Sequence, residues 1–215
     1  KGAADVLGEF LLACAEDEED PQRQRALLLE HAELCMTRLQ QHEQAIRSLR
    51  RAVEIEADEA SVHRCQALYE EDQDWAGVAD MQELLVDLAE EPSTAARRLH
   101  RLGRVFLINL QAPERAKAAF ERAAELDPAW LSPLADLGRI LAEEEDWENL
   151  LALKLRLAEV TSEDDDRAEH LHQAAGLAFE RIGDAQHGVD LLQRAVDISS
   201  DPIPWLSELA ERCEQ

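Results

Sequence analysis

Residues 96–128 read ARRLHRLGRVFLINLQAPERAKAAFERAAELDP. Leu99, Leu102, Gly103 and Phe106 recur at helical spacing along the first half. Ala116, Phe120 and Ala123 do the same along the second, and Asp127-Pro128 ends it. Two amphipathic helices packed as a hairpin satisfy this pattern, with small residues where the backbones approach and large ones between them.

The same hairpin recurs along the chain. In the first helices a close-contact position holds Ala32, Gln66, Gly103, Gly138 and Gly176, followed three residues later by Cys35, Tyr69, Phe106, Leu141 and Phe179. In the return helices the small position holds Ala45, Val78, Ala116, Leu150 and Gly188; seven residues on stand Ala52, Leu85, Ala123, Leu157 and Ala195. The period is about 34–38 residues, which places the chain among repeat architectures. Odd hairpins carry Ala or Gly at both return-helix positions, whereas even hairpins carry Val or Leu. Asp74-Trp75 and Asp146-Trp147 mark the even turns.

These residues resemble the tetratricopeptide repeat (TPR) family, best at Leu99, Leu102, Gly103, Phe106, Ala116, Phe120, Ala123 and Pro128. The sequence departs from the family pattern in one extra residue between Phe106 and Ala116, in Gln66, and in Leu150 and Leu157. The alternating pairs look like the arrays of very large bacterial TPR proteins. The resemblance implies an all-α, right-handed TPR-like α-solenoid of antiparallel hairpins, with about 12 helices. The expected organisation is a single array over 1–215. It opens with a return helix at 1–20, continues through hairpins at 21–57, 58–92, 93–128, 129–164 and 165–200, and closes with a first helix or end helix at 201–215. Residues 4–15 match a return helix and 203–214 a first helix, so the expectation is a piece of a longer array. Leu7, Phe10 and Leu11 at one end, and Trp205, Leu206 and Leu209 at the other, are then expected to be partly uncovered and to promote end-to-end self-association.

Composition narrows the function. The 215 residues carry 22 Lys and Arg against 47 Asp and Glu, a formal charge of −25. Nucleic acid and anionic membrane surfaces are poor partners for such a chain, because phosphate demands a basic field. The longest apolar stretches fall far short of the roughly 20 residues a membrane span needs. Cys14, Cys35, Cys65 and Cys213 form no C-x-x-C and occupy helical positions, which reads as reduced core thiols and a cytoplasmic address.

Catalytic and metal patterns are missing from the sequence. His31 and Cys35 stand at i and i+4 with no further ligand nearby, and core packing is the better reading. The acidic runs 16–20, 143–146 and 162–166 lack the spacing and glycine of a calcium loop and read as helix-start charges. No phosphate loop, nucleophile elbow or dinucleotide fingerprint appears, so neither enzyme activity nor a cofactor is expected.

A solenoid of this kind implies a concave groove lined by the first helices. Its outward positions would be Arg97, His100, Arg101 and Arg104 in the third hairpin, His63 and Arg64 in the second and Arg139 in the fourth. This basic track is either neutralised by neighbouring acids such as Glu70 and Asp136 or free to hold an acidic protein segment. TPR domains that clamp a peptide's terminal carboxylate use Lys and Asn at these positions; His, Arg, Leu, Ala and Gln stand here instead, which argues against that activity. The expected function is a protein-binding scaffold. The alternatives are a structural, self-associating segment with no ligand of its own, or a regulatory array controlling an effector domain outside this chain.

Overall fold

The computed structural model describes residues 2–213, and they form an all-α, TPR-like solenoid fold with no strand among the described residues. The helices are α1 (Ala3–Asp17), α2 (Pro21–Leu34), α3 (His42–Ile55), α4 (Glu59–Glu71), α5 (Trp75–Asp87), α6 (Pro92–Arg104), α7 (Pro113–Leu126), α8 (Ser132–Glu143), α9 (Trp147–Val160), α10 (Asp164–Leu177), α11 (Ala185–Ile198) and α12 (Ile203–Cys213). The chain divides into two compact units, one through Ala119 and one from Phe120. Within each unit consecutive helices pack on one another, α1 on α2, α3 on α4 and α5 on α6 in the first, and α9 on α10 and α11 on α12 in the second.

Local chemistry explains where helices begin. Asp20, Asp58, Asp74, Asp146 and Asp184 each accept a backbone N–H of the following first turn, satisfying donors that no helical carbonyl can reach. The acidic runs at 16–20 and 143–146 thus supply caps. In the run at 162–166, Asp165 instead accepts both the backbone N–H (2.8 Å) and the hydroxyl (2.7 Å) of Ser200.

Every hairpin turns on one residue in the left-handed region: Gln40, Gln73, Gln111, Glu145 and Gly183, with φ between 50° and 81°. The turns come in two lengths. In even hairpins the carbonyls of Tyr69 and Leu141 accept the N–H five residues on, from Asp74 (2.8 Å) and Asp146 (2.9 Å). In odd hairpins the first helix widens at its end into a π turn, over Cys35–Leu39, Val105–Asn109 and Ala178–Ile182. The carbonyls of Cys35, Phe106 and Ala178 then accept from six residues on, at Gln41 (3.1 Å), Ala112 (2.8 Å) and Asp184 (3.0 Å). The extra residue between Phe106 and Ala116 is this π turn.

The turn geometry corrects the register of the fifth hairpin. Ala175 and Ala178, both buried, take the places that spacing assigned to Gly176 and Phe179. A Cβ on Gly176 would meet nothing within 4 Å, so it is not a packing glycine. Gly188 is one: a Cβ there would lie 2.7 Å from the Phe179 ring. Gly77, which the repeat alignment passed over in favour of Val78, is another, since a Cβ would collide with the Tyr69 ring. Gly138 is in close packing, with Leu153 Cδ2 3.2 Å from a Cβ position. Gly103, Phe106, Ala116, Phe120 and Ala123 are all buried.

Gln66 occupies a small-residue position by pairing: its Oε1 accepts from Gln82 Nε2 at 2.6 Å, and its Nε2 donates to Glu70 at 2.6 Å. Cys35 and Cys65 are buried free thiols and Cys14 a half-buried one; the Cys213 side chain lies outside the described residues. Burial pushes the Cys65 thiol up to about 11, which keeps it protonated and inert. At the ends, Val6, Leu7 and Phe10 are exposed on α1, as are Ile203 and Leu206 on α12. Leu11 differs from expectation: it is buried. Trp205 is half-covered by a stack on His172, centroids 5.4 Å apart.

The turns generate a pair of opposite expectations. A non-glycine residue in the left-handed region costs roughly 1–2 kcal/mol, so Gly183→Ala should destabilise by about 1 kcal/mol and Gln111→Gly should stabilise by a similar amount or slightly less. Urea denaturation midpoints measure both, and unchanged midpoints in the two variants would refute the constraint.

Candidate functional site

The basic residues singled out by the sequence have different fates. Arg64 and Arg101 are exposed but paired across neighbouring first helices, Arg64 with Glu33 and Arg101 with Glu70 at 2.7 Å. Arg139, in the second unit, pairs with Asp136 one turn away. Arg97, Arg104 and His63 are exposed and make no ion pair among the described residues. His100 is half-buried. Ion pairs this exposed contribute about 0–1 kcal/mol each, so Arg64 and Arg101 are not locked in place by energy.

Three of these residues meet in one depression of about 320 Å³ on α6 and its π turn, lined by His100, Arg101, Arg104, Val105, Ile108 and Asn109. They recur at helical spacing and share a stripe. Ile108 is 61% exposed, so the stripe offers an apolar side chain directly beside guanidinium groups. On the far side of the hairpin turn, Arg115 stacks its guanidinium 4.0 Å from the Phe106 ring centroid and pairs with Glu83 at 3.1 Å. Ile108 was not read from the sequence. An isoleucine in a helical run gives no sign that it faces water.

The other chemistry-bearing cluster lies inside the first unit. His31 is buried, with Nδ1 2.8 Å from Ser48 Oγ and Nε2 3.5 Å from Cys35 Sγ. No group of three or more metal-ligating side chains is assembled among the described residues. The imidazole acts as a packed, hydrogen-bonded core side chain, and burial holds its pKa below the ordinary value.

Residues 96–129 match the tetratricopeptide repeat family model, the same stretch that forms the third hairpin. The structure of YrrB, described as a TPR protein with an unusual peptide-binding site, is 21% identical over 96% of this chain and 98% of that one, with a TM-score of 0.43. Pseudomonas aeruginosa pilF is 16% identical over 96% and 97% of the two chains, at 0.42. The TPR2AB domain of yeast Sti1, in a pHSP90 complex, is 11% identical over 83% and 78%, at 0.34. No curated protein matches the chain by sequence. The matched repeat lies within a run of helical hairpins of the same kind, so the chain has a tetratricopeptide-repeat-like fold. No helix among the described residues is long and apolar enough to cross a membrane.

The buried His31 predicts a pH dependence of known sign. Its folded-state pKa is lowered, so below the ordinary value of 6.5 the unfolded chain binds the proton more readily. Stability should therefore fall as pH drops from 6.5 towards the folded-state pKa and be unaffected by this group above 6.5. Denaturation midpoints between pH 7.5 and about 5.5 should show this slope in the parent and less of it in His31→Gln. An equal slope in both would remove His31 from the account.

Proposed function

We propose that the chain is a non-enzymatic scaffold that holds an acidic, partly apolar segment of a protein partner on the stripe His100, Arg101, Arg104 and Ile108. One observation carries this reading. In a molecule of net charge −25, Arg104 remains unpaired beside an exposed isoleucine. Acids outnumber bases two to one in this chain, and a solvated surface alone has no need of an unpaired cation next to apolar area. Arg97, exposed and equally unpaired, extends the positive field one further turn towards the start of α6. Arg101 would exchange Glu70 for a ligand carboxylate at little cost.

A fluorescein-labelled peptide alternating Glu and Leu should bind by fluorescence polarisation. Affinity should weaken with salt, since the screening length is only about 8 Å at physiological ionic strength. The Arg101→Glu, Arg104→Glu variant should lose at least about tenfold in affinity, equal to about 1.4 kcal/mol, with helicity unchanged. Binding indifferent to both salt and charge reversal would overturn the reading.

A second reading, self-association of the array, is favoured by α1, where Val6, Leu7 and Phe10 form an apolar stripe and Phe10 is 63% exposed. Burying a side chain of this size stabilises by about 1.5–3 kcal/mol. Light scattering at rising concentration should report mass growth in the parent and less in Phe10→Glu. A monomer at all concentrations, unchanged by the substitution, would remove this reading.

A further inference from the structure

The second unit contains a cleft that the basic stripe of α6 does not account for. It is about 360 Å³ and lies between α9 and α10, lined by Trp147, Leu150, Lys154, Gln173, Gly176, Leu177, Glu180 and Arg181. Its defining feature is Gly176. A glycine inside a helix costs about 1 kcal/mol relative to alanine, and here no neighbour demands it, because a Cβ would meet nothing within 4 Å. Its effect is to leave space open to the cleft.

The walls are apolar and cationic together. Arg181 lays its guanidinium 4.8 Å from the Trp147 ring centroid, which fixes both groups at the rim. Lys154 is half-buried and forms no ion pair among the described residues; desolvation lowers its pKa, with Glu169 opposing the shift. The acid in the lining, Glu180, is itself within 3.5 Å of Arg212. Gln173 spends its amide N–H on Glu169 at 2.8 Å, leaving its oxygen for an incoming donor. Next to the cleft, His170 Nδ1 is buried without a hydrogen-bond partner, and its pKa is lowered by desolvation and then by Lys154. A half-buried ammonium with no carboxylate in direct contact is costly, and because Glu169 offsets only part of its desolvation, a carboxylate arriving from outside relieves the remainder.

We infer that this cleft is a second binding site, which takes an extended protein segment bearing an apolar side chain next to a carboxylate. The apolar side chain fills the space over Gly176 between Trp147, Leu150 and Leu177. The carboxylate sits between Lys154 and Arg181, and the segment's backbone N–H meets the Gln173 oxygen. Length favours a segment over a small molecule. Residues 173 to 181 span about 12 Å of helix, which matches three or four extended residues. The site goes beyond the function proposed above, since it uses none of the α6 residues.

The test uses the whole chain, labelled with nitrogen-15, and the blocked hexapeptide Ac-Asp-Glu-Phe-Leu-Asp-Glu-NH2. Gly176 is one of eight glycines, so its amide can be followed directly. The peptide should shift the Gly176 amide and the Trp147 indole saturably, and Lys154→Gln should weaken this binding at least fivefold. Gly176→Leu should abolish the Trp147 shift. If that variant loses helicity, Gly176→Ala replaces it and should keep the fold while reducing affinity. Arg104→Glu should leave these shifts unchanged, which separates this site from the stripe on α6. Absence of a saturable shift, or equal affinity in Lys154→Gln, would overturn the inference. Equal binding of the Asn/Gln version of the peptide would refute the carboxylate, and equal affinity for benzoate alone would refute the segment.

Discussion

Each hairpin depends on a single backbone hydrogen bond that closes its turn. A carbonyl at the end of the first helix, on Cys35, Tyr69, Phe106, Leu141 or Ala178, accepts the N–H of the residue just before the return helix. To reach it the chain passes through the left-handed region once, at a cost that packing of the paired helices offsets. This bond sets which residues of the return helix face the first helix. The small positions Ala45, Val78, Ala116 and Gly188 are buried; a ring packs directly on Gly188, and another on Gly77, the neighbour of Val78.

Much of this was legible in the sequence. Helical periodicity gave the hairpins because buried faces are written in residue size and polarity. The alternation of small and large residues separated odd from even hairpins, and the turns have the same two-fold alternation. The conformation of the turns was hidden, since four of the five left-handed residues are Gln or Glu. Neither residue carries the signal that Gly or Asn gives for positive φ. Glycine itself was ambiguous: Gly77 and Gly188 yield to rings, while Gly176 yields to nothing. A sequence records that a side chain is missing without saying what occupies its place.

The candidate site was legible as a charge pattern and no further. His100, Arg101 and Arg104 fell on one stripe because helical spacing alone requires it. Which arginines are paired depends on the reach of flexible side chains between hairpins, and period gives no account of that. Arg64 and Arg101 each found an acid 31 residues back, whereas Arg104 found none.

Those long pairs share a further property. Arg25 reaches Asp58, Arg98 reaches Glu59, Arg115 reaches Glu83 and His172 reaches Glu208, over separations of 32 to 39 residues. Each spans about one repeat and goes no further, as do the helix packings within each unit. Contacts this local keep the loop-closure cost of folding small and nearly constant along the chain. Folding can then nucleate at whichever hairpin is strongest and spread to its neighbours. Loss of structure can likewise fray inward from one hairpin to the next, so the molecule need not lose all its hairpins at once.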